Sequence, residues 1–158
     1  MRAPNNFETV LKALTKFKVE FMLAGGYAVN FHGYNRTTSD LDIWVKPAEE
    51  NKKRIFDSLL SLGFSKEMSE QVDKLDFSKP FCFSIGTEPV SIDIFNHMTG
   101  VNYAEAEKNM IPFKFSDSVS VHYIHLTDLV KNKMLTNRLK DKADVEELQK
   151  INIAKNKK

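Results

Sequence analysis

Two carboxylates, Asp40 and Asp42, bracket the start of the otherwise apolar run 41–45. On a strand, residues two apart point to the same face, so the pair would present its oxygens together. Hard divalent cations such as magnesium are held by oxygen donors of this kind. Burying them among Leu41, Ile43, Trp44 and Val45 is costly unless a cation or a partner is supplied. A third acid of the same character, Asp93, stands alone in Ser91-Ile92-Asp93-Ile94-Phe95 and can join the pair if the two strands are neighbours. Asp73 and Asp76 are rivals for that place, in a segment too irregular to position. Upstream, Gly25-Gly26 closes the apolar run 21–24. Without a Cβ the backbone there can come close to a phosphate, and a helix starting there would offer free N–H groups and the positive end of its dipole. The pattern reads as a phosphate cradle set opposite a metal site, with a nucleoside triphosphate between them.

Further candidates surround this pair. Arg36, just before the acidic strand, is a candidate phosphate or acceptor contact. Lys133 falls on the apolar side of a helix beginning near Leu126, so it either snorkels outward or reaches into a cleft to meet a triphosphate. Asp144 shares a helix face with Leu148 and Ile151 and can pair with Lys133 or Arg138. His122 and His125 are too few for a zinc centre, and no structural zinc is expected. Gly25-Gly26 is not followed by the Gly-Lys-Ser/Thr of a P-loop.

The elements that must position these residues are legible in outline. Phe7, Val10, Leu11, Leu14 and Phe17 recur at helical spacing, with Asn5 and Glu8 as a capping box. Residues 19–24 read as a buried strand and 27–32 as a short helix stopped at Gly33. Residues 40–45 alternate as a strand. A helix follows Pro47, with Ile55, Phe56, Leu59 and Leu60 as its buried stripe and Gly63 at its end. Residues 65–79 are polar and poorly patterned, which suits a flap or an irregular edge. Two hairpins are expected, one turning at 86–89 and one at Asp117-Ser118, with a short helix over 102–109 between them. A helix capped by Thr127 or Asp128 and a last helix over about 140–151 complete the chain. The fold class is α+β, a mixed sheet with helices packed mainly on one side.

Composition sets the frame. The chain has 158 residues, enough for one domain with a real core, expected over 1–152 with a basic, frayed tail at 153–158. A net charge of +2 is too small to argue for nucleic acid by itself. The single cysteine, Cys82, excludes an internal disulfide, which suits a reducing cytoplasm. No apolar run approaches a membrane span, and the N-terminus lacks the apolar core of a signal peptide, so no membrane partner is expected.

Gly25-Gly26, then Asp40-Leu41-Asp42-Ile43 beyond residues 27–39, then the lone strand acid Asp93, resembles the motif order of the nucleotidyltransferase superfamily, with its polymerase-beta-like fold. Arg36-Thr37-Thr38 before the acidic strand, and the late Lys133, Arg138 and Asp144, are similar to the small stand-alone members related to the AbiEii-type toxins. The likeness covers roughly residues 5–150. It implies a magnesium-dependent enzyme that moves a nucleoside monophosphate from ATP or another nucleoside triphosphate to an acceptor hydroxyl, releasing pyrophosphate. It implies two magnesium ions, with manganese as a substitute, ~3.5–4 Å apart and bridged by Asp40 and Asp42. Asp93 would ligate the second ion and take the acceptor's proton. Gly25, Gly26, Arg36 and Lys133 would hold the triphosphate. Gly26 stands where many relatives have serine, and the large nucleic-acid-holding domain of polymerase-type members is lacking. The acceptor therefore stays open among a tRNA end, a protein side chain and a small molecule. A toxin-like role with a separate antitoxin, or a dimer partner, belongs to the same kinship. The residues alone also admit a two-metal phosphodiesterase or nuclease, and a catalytically inactive domain that binds nucleotide or a partner.

Overall fold

The computed structural model describes residues 7–87 and 90–156. The expected capping box at Asn5, the tip of the first hairpin at Glu88-Pro89 and the last two lysines lie outside these. In α1 (Phe7–Lys16) the helical stripe Val10, Leu11 and Leu14 is fully buried. Glu8 accepts hydrogen bonds from Ser116 and Ser118 at the turn of the second hairpin. All four residues of β1 (Phe21–Ala24) are buried. That is the signature of a central strand covered on both faces.

The described residues form a six-stranded mixed sheet in the order β3-β4-β2-β1-β6-β5 and seven helices, two of them C-terminal. β1 pairs antiparallel with β2 (Leu41–Val45) and parallel with β6 (Val119–Tyr123). β2 in turn runs parallel to β4 (Val90–Phe95), which forms a hairpin with β3 (Cys82–Thr87). β5 (Ile111–Ser116) and β6 form the second hairpin at the opposite edge. The sheet face that carries Asp42 also carries Trp44, which is buried edge-on against Tyr103 of α5 (Tyr103–Ala106), ring centroids 5.1 Å apart. That cover closes one end of the face and leaves the acidic end open.

Several local expectations are revised. Residues 65–79 are not an irregular edge: α4 (Lys66–Asp73) starts at Ser65, whose Oγ accepts from the Met68 N–H. Only Ser69 and Val72 of that helix are buried, too few to give a readable stripe. Phe77 is anchored beyond it, and Asn96 fastens the segment, donating to the Phe77 and Lys79 carbonyls and accepting from the Phe81 N–H. In α3 (Glu49–Ser61) Leu60 is exposed, and the buried side includes Asn51, which satisfies the Glu20 backbone and the Lys46 carbonyl. A buried amide with every partner supplied takes the place of a leucine. The cap of α6 (Leu126–Leu135) is His125, whose Nδ1 accepts from the Thr127 N–H, rather than Thr127 or Asp128. Finally, α7 (Leu139–Asn156) starts close to the expected position and continues through 153–156, where the sequence suggests only a tail.

Candidate active site

The acidic end of the sheet is built by strand register. β2 and β4 align so that Asp42 and Asp93 are direct partners across a parallel pair, which places both side chains on one face. Asp40 lies just ahead of β2, and its Oδ1 accepts a hydrogen bond from Ser91 Oγ at 3.0 Å. Ser91 is two residues before Asp93 on the same strand, so all three carboxylates belong to the same face. Asp93 is held from the other side, accepting from Ser84 Oγ of β3 at 2.6 Å. The two serines hold Asp40 and Asp93 against β3 and β4. Among the described residues no group of three or more His, Cys, Asp or Glu side chains is drawn together closely enough to grip a metal ion as it stands.

The charge of this trio is unbalanced. Asp42 is pushed up to about 6, first by burial, then by the negative charges of Asp93 and Asp40; Lys133 and Lys140 pull it down only in part. A like-charged oxygen cluster with a half-buried member matches the chemistry of a magnesium or manganese site, since a cation would relieve the repulsion. The donor set therefore fits such an ion.

Gly25 and Gly26 are demanded by the chain's own side chains. Gly25 has φ +62, and a Cβ there would fall 1.7 Å from Asp42 Oδ2. A Cβ on Gly26 would fall 2.4 Å from Thr38 Oγ1 and 3.3 Å from an Arg36 Nη atom. The turn is thus pressed against the acidic strand and the 36–38 loop. α2 (Gly25–Phe31) begins at Gly25 itself, two residues earlier than expected, and no side chain caps it.

The opposite charge gathers where α6 and α7 meet the 36–38 loop. Arg36 grips Asp144 with two hydrogen bonds, Nε to Oδ1 at 2.7 Å and one Nη to Oδ2 at 3.0 Å. Lys133 Nζ lies 3.0 Å from Asp144 Oδ2 and 2.9 Å from Asp141 Oδ1. Asp141 also accepts from Thr136 Oγ1 at 2.6 Å and from Arg138 Nε at 2.7 Å. Both aspartates are almost wholly buried, with 2% and 1% of their side chains exposed. Burial alone would raise Asp141, but the bonds from Thr136 and Lys133, the Lys133 charge and the Arg138 bond outweigh it and bring it down to about 2.

A cavity of about 280 Å³ connects the two groups, and its lining includes every site residue expected from the sequence: Gly25, Gly26, Arg36, Asp40, Asp42, Asp93 and Lys133. The rivals do not reach it. Asp76 is exposed and held low by the hydroxyl and N–H of Ser78. Residues the sequence reading missed are Asp141, Lys140, Ser84 and Ser91. The Arg138-x-Lys140-Asp141 spacing at a helix start was the available sign for the first two. The serines become partners only through strand pairing. Cys82, next but one to Ser84 on β3, has its thiol pushed up by burial and then by Asp93 and Asp42. Among the described residues no helix is long and apolar enough to cross a membrane. Comparison of the chain with protein-family models and with curated proteins found no match to either.

Proposed function

We propose that the protein transfers a nucleoside monophosphate from a nucleoside triphosphate to an acceptor hydroxyl and releases pyrophosphate, on a nucleotidyltransferase-like fold. The observation that carries this reading is the direct pairing of Asp42 with Asp93 in a cavity that Arg36, Lys133, Arg138 and Lys140 also line. Asp40, Asp42 and Asp93 would hold magnesium, which would neutralise phosphate charge and lower the pKa of the acceptor hydroxyl. The acceptor oxygen attacks the α-phosphorus, the bond from that phosphorus to the bridging oxygen breaks, and pyrophosphate leaves with the electron pair. Asp93, at the edge of the trio beside β3, takes the acceptor's proton. Gly25 keeps the backbone tight against Asp42, and Gly26 keeps it tight against Thr38 and Arg36. The cationic lining supplies compensating charge for the triphosphate.

Incubation with magnesium, each α-labelled nucleoside triphosphate in turn, and pools of RNA, protein or small molecules tests the reading. Label transfer with pyrophosphate release, absent in Asp42→Asn, is the expected result. Magnesium-dependent binding without any transfer would instead indicate a nucleotide-binding domain, and strand cleavage without added triphosphate would indicate a nuclease.

A further inference from the structure

Four cations line the cavity: Arg36, Lys133, Arg138 and Lys140. They are not equivalent. Arg36 is bound bidentately to Asp144, and Lys133 sits between Asp144 and Asp141. Arg138 gives its Nε to Asp141, while most of its side chain, 74%, is exposed. Lys140 is exposed and has no hydrogen bond or ion pair among the described residues. Drawing Arg36 or Lys133 onto a phosphate would strip partners from two deeply buried carboxylates, a costly exchange. Lys140 gives up no hydrogen bond or ion pair, only the longer-range attraction of its charge for Asp42, and the two Nη nitrogens of Arg138 have no partner among the described residues.

Resting on the nucleotide-transfer reading, we infer that Lys140, with the outer edge of Arg138, binds the β- and γ-phosphates of the triphosphate, whereas Arg36 and Lys133 are positioning residues. Asp144, which they share, and Asp141, which Lys133 also holds, fix the start of α7 against the 36–38 loop, and so set where Lys140 stands at the cavity. Three cations against Asp141 and Asp144 leave one positive charge in the cluster, on the side where Arg138 opens to solvent. The site is then biased towards ligands with a polyphosphate end, since a monophosphate brings no β- or γ-phosphate to Lys140. The flexible stem of Lys140 suits a phosphate group, where a point charge is sufficient.

Calorimetric titration tests this, using magnesium with inorganic tripolyphosphate, with each of the four common nucleoside triphosphates, and with the matching monophosphates. Lys140→Gln is expected to weaken triphosphate and tripolyphosphate binding about tenfold or more, the worth of a charge-assisted hydrogen bond. Monophosphate binding should change less than about twofold, and the melting temperature should not move, because the side chain is exposed. Lys140→Arg should stay within about threefold of the parent, keeping the charge. Arg36→Gln, by contrast, should lower the melting temperature at every ligand concentration. Unchanged triphosphate affinity in Lys140→Gln, with binding lost in Asp42→Asn, would overturn the assignment of Lys140 and leave the nucleotide reading standing. Equal weakening of mono- and triphosphates would also overturn it. If the unaltered protein binds none of these probes, both readings fall together.

Discussion

Asp42 and Asp141 line one cavity and are the same residue type, yet their carboxyl groups are displaced in opposite directions. Asp42 is carried up to about 6 because burial and two neighbouring carboxylates all disfavour its charge. Asp141 is brought down to about 2, although burial works against it, because Thr136, Lys133 and Arg138 supply hydrogen bonds and positive charge. The first group has its charge left over and the second has its charge cancelled. The contrast separates a place that gains from an arriving cation from a place already closed by its own partners. It also separates the residues that would touch a ligand from those that hold the wall of the cavity.

The comparison can be broken first at its closed half. Asp144→Ala leaves Arg36 and Lys133 buried and short of a partner, with an expected loss of about 3–5 kcal/mol in denaturant unfolding. A loss below about 1 kcal/mol would mean that the cluster does not hold α6 and α7 to the 36–38 loop. The open half should answer magnesium instead. At a hundred times its dissociation constant the ion is expected to add about 2.7 kcal/mol to the stability of the parent and nothing to Asp42→Asn. An equal gain in both would remove Asp42 from the site.

Gly25→Ala sharpens the contrast without adding or removing any charge. The new methyl group occupies the space of the Asp42 carboxylate in a left-handed backbone, at an expected cost of about 2 kcal/mol. The magnesium response should fall with it, while acid unfolding between pH 4 and 2, where Asp141 loses its paired charge, should keep its shape. The smallest effect is a pH dependence. A raised folded-state pKa means that Asp42 holds its proton more firmly when folded. Its contribution is therefore fully present below about pH 4 and is lost as pH rises through about 6. Without divalent ions, Asp42→Asn should match the parent near pH 4 and exceed it by about 1–2 kcal/mol above pH 6, after allowance for solvent screening. A parent that is the more stable of the two at pH 7 without metal would contradict this account of the trio.

Much of the candidate site was legible because strand residues alternate. Asp40 and Asp42 at a two-residue spacing, and Asp93 isolated among apolar neighbours, announce acids on a sheet face before any pairing is known. The hairpins and the helix stripe of α1 were readable for the same reason of period. α4 was not, since only two of its residues are buried and a polar surface helix carries little periodic signal. The pairing of Arg36 was also out of reach: its counter-charge, Asp144, stands 108 positions away in the chain and is met at 2.7 Å only after folding, whereas Asp144 as a partner for Lys133 was readable from the helix face.

By itself the sequence determined which residues can carry charge on which face of each element, since side-chain direction follows from local backbone geometry alone. It also determined that the 25–26 turn tolerates close approach, since glycine has no Cβ. Only the tertiary structure decided which charges are cancelled. The parallel register of β2 and β4 set Asp42 beside Asp93, and the docking of α7 gave Arg36 and Lys133 to Asp144 and Asp141. Electrostatic pairing depends on distances of a few ångströms between segments far apart in the chain, and those distances exist only after the chain has packed.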